Sequence, residues 1–193
     1  MTTQLQQLQR VVAHAYDHAP AFRDKMDQAG VKPADIQSLA DLQRIPITKK
    51  DEVVAMQKEK PPFGGLLAVP PTEVTHICMS PGPLYEAIGK EKASSVAFAE
   101  GFAASDLIAG DVVMNTFSYH LVPAGLMVDE ALCNMGATVV PTGVGNTDLQ
   151  VKIMMDLRAN GYVGTPSFLM TLLKRAEELG LPRQALPMRK ALF

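Results

Sequence analysis

From Phe63 onward the chain alternates short apolar runs rich in β-branched residues with stretches of helical length and period, and this alternation limits its fold more than any other feature. The pattern predicts strands near 74–79, 111–117, 137–141, 161–164 and 189–193, with helices near 92–108, 123–135, 147–159 and 166–180. Strand and helix units at this spacing close through right-handed crossovers into an α/β fold with a mostly parallel sheet and flanking helices. Gly136 and Gly180 follow helical stretches where a left-handed C-terminal cap is wanted, and Pro166 sits where a first helical turn tolerates a missing N–H. Arg189–Phe193 reads as a strand cut by the C-terminus, so the sheet is expected to be incomplete there.

The residues before this pattern read differently. Leu5, Leu8, Val12, Ala15 and Tyr16 recur at helical spacing, a second helix is expected from about Pro20 to Gly30, and Thr48 with Asp51 forms a capping-box signature for a third. A connector, Lys60-Pro-Pro-Phe-Gly-Gly65, then leads into the alternating region. The division expected is a helical N-terminal region over 1–62 and a partial α/β subdomain over 63–193.

A chain of 193 residues, 47% apolar, has enough material for a real core. Its formal charge of -2 leaves no basic footprint for nucleic acid, and no apolar run approaches the length of a membrane span. The N-terminus lacks the basic and apolar segments of a secretory signal, so the expected location is the cytoplasm. Cys78 and Cys133 stand far apart in apolar surroundings and read as buried thiols. Residues 61–150 hold only two cations, Lys90 and Lys92, against nine acids. A polyanion bound there would depend on backbone N–H groups, helix N-termini, a metal ion and those two lysines.

In a parallel sheet ligands gather beyond the carboxyl ends of the strands, which directs attention to four loops. Ser80, Gly82, Gly89 and Lys90 offer the flexible backbone donors, hydroxyl and cation of a phosphate cradle, against the alternative of a plain Pro/Gly surface loop. Tyr119 and His120, beside Pro123 and Gly125, suit the wall of a small acyl pocket; no serine or cysteine with an acidic partner makes a catalytic triad there. Gly143-Val-Gly145 is half of a dinucleotide fingerprint, but Asp148 occupies the third glycine's place and no ribose-binding acid follows, which argues against a dehydrogenase. The fourth loop is Gly164-Thr-Pro-Ser167. The eleven methionines read as core filler, and no residue is assigned a catalytic or metal-ligating role.

An ordered set of segments resembles a family. Ala19-Pro-Ala-Phe-Arg23, Ser38–Lys49, Pro62–Pro70, Gly110-Asp-Val-Val113, Tyr119–Gly125, Gly136–Gly143 and Gly164–Ser167 follow one another as in the opening part of phenylacetate-coenzyme A ligases, within the adenylate-forming acyl-CoA synthetases. The resemblance implies ATP, Mg and coenzyme A as cofactors, a small carboxylic acid as substrate, and a two-step reaction through an acyl-adenylate. It implies phosphate contact at Ser80, Gly82, Gly89 and Lys90, where Pro81, Pro83 and Leu84 replace hydroxyl-bearing residues of the family loop and 85–88 are inserted. It places Tyr119, His120, Pro123, Gly143, Thr165 and Pro166 around the acyl pocket. The family's adenine, ribose and catalytic-lysine elements lie beyond the last strand, so this chain alone is expected to be inactive. A stand-alone acyl- or nucleotide-binding module is the alternative, and self-association through the open sheet edge, as a homodimer or as aggregates, is expected.

Overall fold

The structure, a computed structural model, describes residues 3–90, 101–102 and 105–193. Lys92 and most of the helix expected near 92–108 lie outside the described residues. The chain groups into two compact units, Met1–Lys90 and Glu91–Phe193.

The first unit begins with α1, Gln4–His18, whose N-terminus is closed by a reciprocal capping box: Gln6 N–H donates to Thr3 Oγ1 and Thr3 N–H to Gln6 Oε1. It turns at buried Ala19 into α2, Pro20–Gln28, and the two helices bury Val12 and Met26 against Val31 and Ile36. Helix α3, Lys50–Glu59, follows short 3₁₀ turns. The capping box expected from Thr48 and Asp51 does not form. Lys49 is the N-cap, without a side-chain bond, while Thr48 Oγ1 accepts from the Lys25 ammonium at 3.1 Å. That ammonium also reaches Ile47 O at 2.8 Å and Glu52 at 2.7 Å, so a charged donor has taken the hydroxyl that the cap would have used.

Strands β1, Val74–Ser80, and β2, Leu84–Gly89, form an antiparallel hairpin in a two-stranded sheet of their own. The expectation that 74–79 opens the parallel sheet is therefore corrected, as is the reading of 80–90 as one long loop before a helix. Pro81-Gly82-Pro83 makes the turn, and Leu84, Glu86 and Ile88 alternate in burial with exposed Tyr85, Ala87 and Gly89, which is strand periodicity. Gln57 of α3 completes the outer edge of β2: its Nε2 donates to Tyr85 O at 2.7 Å and its Oε1 accepts from Tyr85 N–H at 2.9 Å. These contacts tie β2 to the helical unit, and the division into compact units falls after Lys90.

The second unit carries the parallel sheet, with β3 Val112–Asn115, β4 Thr138–Val140, β5 Gly161–Val163 and β6 Lys190–Leu192 in the order β4-β3-β5-β6. Helices α4 Ala124–Asn134, α5 Thr147–Asp156 and α6 Pro166–Glu178 connect the strands. The period of two sorts the core. Val113 and Val163 pack with Val128, Ala131 and Leu132 of α4, whereas Met114 and Tyr162 pack with Val151 and Met154 of α5 and Leu172 and Ala176 of α6. Gly136 at φ +84° and Gly180 at φ +80° end α4 and α6 in the left-handed conformation, as their positions predicted. Cys78 is buried as expected, but Cys133, near the end of α4, is exposed and not the buried thiol the sequence suggested. Among the described residues no helix is long and apolar enough to cross a membrane.

Candidate active site

The strand order sets the place. From β3 the chain leaves toward β4 on one side, and from β5 it leaves toward β6 on the other, so the loops after adjacent β3 and β5 diverge and leave a crevice at their carboxyl ends. A cavity of about 310 Å³ lies there, lined by Thr116, Phe117 and Ser118 after β3, Val144 after β4, and Thr165, Ser167, Phe168 and Thr171 at the start of α6.

Asn115, fully buried at the end of β3, organises this crevice. Its Nδ2 donates to Gly125 O at 2.9 Å and to Tyr119 Oη at 2.7 Å, and its Oδ1 accepts from Phe117 N–H at 3.1 Å. Its main-chain oxygen accepts from Gly143 N–H at 3.0 Å and from Thr142 Oγ1 at 3.3 Å. One residue thus fastens the loop after β3 through its side chain and the loop after β4 through its main-chain oxygen. Tyr119 donates in turn to Asp129 Oδ2 at 2.7 Å; burial and the neighbouring carboxylate push its phenol well above the usual range, so it remains protonated. Gly125 must be glycine, because a Cβ there would stand 2.5 Å from Ser118 O.

The β5 side is equally constrained. The Tyr162 hydroxyl, buried beneath the crevice, donates to Thr165 O at 2.9 Å and lies 3.1 Å from Thr116 Oγ1. Burial raises the Tyr162 phenol, which keeps that donor in place. Thr165 caps α6 by accepting from Phe168 N–H at 3.3 Å, and Pro166 occupies the first helical turn. The result is an apolar wall of Phe117, Val144 and Phe168 facing a group of hydroxyls at a helix N-terminus. A combination of this kind suits a small ligand with an apolar body and an anionic end. Among the described residues no Lys, Arg or His lines the cavity.

Of the expected acyl-pocket residues, Thr165 lines the cavity, Pro166 follows it in α6, and Gly143 precedes the lining residue Val144 with φ +61°. Tyr119 stands behind the lining with its hydroxyl engaged. His120 is exposed, bound to Ser118 Oγ through its N–H at 3.1 Å and through its carbonyl oxygen, which accepts at 3.5 Å, and Pro123 is the N-cap of α4. Neither belongs to the cavity wall. Sequence reasoning missed Asn115, Phe117, Val144, Phe168 and Thr171. Phe168 and Thr171, three residues apart on α6, are the pair that helical spacing alone could have picked out.

The four expected phosphate ligands are not brought together. Ser80 and Gly82 sit at the hairpin tip, while Gly89 pairs with Val74 at its base and Lys90 follows it, a separation of roughly 20 Å along the strand. At the tip, Pro81 and Pro83 have no N–H, so Gly82 alone of the turn can donate. Ser80 Oγ is buried without a hydrogen-bond partner, and Lys50 approaches the turn, its Cε 3.1 Å from where a Cβ on Gly82 would stand. One amide and one lysine do not make a triphosphate cradle, and among the described residues no group of three His, Cys, Asp or Glu could hold a metal ion. The described residues of the hairpin do not fit ATP and its Mg, and among the described residues no group identifies a coenzyme A site.

No family model matches the chain. Over 196 residues it is 33% identical to the phenylacetate-coenzyme A ligase of Thermus thermophilus and 31% identical to that of Aromatoleum evansii, in each case across 98% of this chain and 43% of the relative. The Escherichia coli phenylacetate-coenzyme A ligase is 30% identical over 197 residues, 44% of its length. Among solved structures, 2-hydroxyisobutyryl-CoA ligase with 2-HIB-AMP and CoA superposes with a TM-score of 0.90 at 27% identity, over 95% of this chain and 41% of that one. The same ligase in its postadenylation state with 2-HIB-AMP gives 0.90 at 28% identity, over 95% and 40%. The chain therefore spans less than half the length of the curated relatives it matches. In sequence the chain is similar to phenylacetate-coenzyme A ligases along nearly all its length, and in fold to 2-hydroxyisobutyryl-CoA ligase.

Proposed function

We propose that this chain supplies the N-terminal part of a cytoplasmic acyl-CoA ligase that activates phenylacetate or a similar small carboxylic acid through an acyl-adenylate, with ATP, Mg and coenzyme A. The observation that carries the reading is the crevice between β3 and β5, whose apolar wall and hydroxyl-bearing helix start suit a small acid, in a chain that matches such ligases along nearly all its length. Within that enzyme the residues described here bind and orient the acid. Phe117, Val144 and Phe168 exclude water from its body, and the N-terminus of α6 with Thr165 and Ser167 meets its carboxylate. Tyr119, braced by Asp129 and Asn115, shapes the crevice without moving a proton. The nucleotide's contacts come from outside this chain's hairpin.

Nuclear magnetic resonance titration of the chain with phenylacetate tests this reading. Amide shifts confined to 116–118, 144 and 165–171 are expected, and shifts absent there at saturating acid overturn it. The isolated chain is expected to release no pyrophosphate from ATP in the presence of phenylacetate, and acid-dependent release would show that it carries a complete site. The outer edge of β6, unpaired among the described residues, supports a homodimer as part of the same reading. Light scattering at high concentration should give twice the chain mass, and a uniform monomer argues against the dimer.

A further inference from the structure

Two exposed histidines stand one turn apart on α1, in a part of the chain that the proposed function leaves unused. His14 and His18 are at i and i+4, so they share one helix face, and their rings stack with centroids 4.4 Å apart and planes inclined by 25°. His18 Nδ1 lies 2.9 Å from the main-chain oxygen of His14. A carbonyl oxygen can only accept, so the Nδ1 of His18 carries the hydrogen, and in the neutral ring the lone pair falls to Nε2. A metal-binding imidazole is held in this way: one ring nitrogen donates to a backbone carbonyl, which fixes tautomer and orientation, and the other is free to ligate.

We propose that His14 and His18 form a two-imidazole site for a first-row transition-metal dication, with water filling the other coordination positions. Imidazole ligands suit nickel, copper and zinc, in the order of affinity that copper heads. No third His, Cys, Asp or Glu among the described residues joins the pair, so the protein contributes two ligands and the ion keeps an open face. Both rings are exposed; His18 keeps its bond to the His14 carbonyl while the His14 ring swings about its side-chain bonds, which exchanges stacking for two metal–nitrogen bonds of about 2.0–2.1 Å. The ion would clamp the last turn of α1, next to buried Ala19, where the chain turns into α2.

The chain has four histidines, His14, His18, His76 and His120, which makes the test a clean division. The untagged full chain, carrying Cys133→Ser to remove the exposed thiol, is titrated with Ni²⁺ by calorimetry and melted with and without the ion. One ion per chain is expected. His14→Gln and His18→Gln should each weaken binding by about tenfold or more and abolish the rise in Tm, with helical circular dichroism unchanged. The double variant His76→Gln/His120→Gln should bind as the parent does. Affinity unchanged in His14→Gln and His18→Gln, loss of binding in the His76/His120 double variant, or no binding by the parent chain would each overturn the proposal.

Discussion

Gly164 shows how tightly single residues determine the crevice. A Cβ at this position would stand 2.0 Å from Thr116 Oγ1 and 2.5 Å from Tyr162 Oη, both held by hydrogen bonds below the cavity. Gly164→Ala must push those hydroxyls apart, and overpacking of this kind costs about 1–3 kcal/mol. A lower urea midpoint with an unchanged slope would register that loss. Tyr119→Phe tests the other side: it leaves the half-buried Asp129 carboxylate without its phenol donor, at a cost of about 1–3 kcal/mol. An equal stability of the phenylalanine variant would show that the Tyr119 hydroxyl braces nothing. Residues such as Gly164 and Thr165 were legible in sequence because a loop after a strand is where a parallel sheet places its ligands. Asn115 was not, because its role exists only when the loops after β3 and β4 converge on one residue, and no local pattern encodes that convergence.

Among the elements, strands β3 to β6 and helices α4 to α6 were recoverable because each local signal agrees with the fold: β-branched runs, a glycine after α4 and α6, and a proline at the start of α6. The hairpin was not, although its sequence alternates. Pro81, Gly82 and Pro83 so resemble a loop that the period-two pattern of Leu84, Glu86 and Ile88 behind them was absorbed into it. That hairpin has few strands to support it, and an isolated two-stranded ribbon is marginal in water. The Gln57 amide stands in for a third strand by pairing with both polar groups of Tyr85. Gln57→Leu keeps the bulk and removes both bonds, with an expected loss of about 1–3 kcal/mol. Hydrogen exchange at the Tyr85 amide should accelerate well before that of Val113 or Met114 in the parallel sheet. Protection at Tyr85 equal to the parent chain would mean that the hairpin holds without this contact.

At the scale of the whole molecule, the acid limit of stability should be set at the amino end of the sheet, opposite the crevice. Asp111, 5% exposed, receives Lys190 Nζ at 2.7 Å, Asn160 Nδ2 at 2.8 Å and the Ile108 N–H at 2.8 Å. Burial works to raise its pKa, but these three donors outweigh it and hold the carboxyl below its ordinary value. Since the folded pKa is depressed, the stabilisation is complete above the unfolded value of about 3.9 and is lost as pH falls through the folded one. The connection is long in sequence: it ties the residue before β3 to the first residue of β6, while Asn160, which also accepts from Val112 N–H at 2.8 Å, joins both to the start of β5. Lys190→Met leaves the buried carboxylate without its cation and should cost about 3–5 kcal/mol near neutral pH. The same variant should lose less additional stability than the parent between pH 5 and pH 2, because the pKa of its Asp111 is no longer held as low. Unfolding free energies measured across that range decide the matter: parallel curves for the two proteins would place the acid-sensitive group elsewhere than at Asp111.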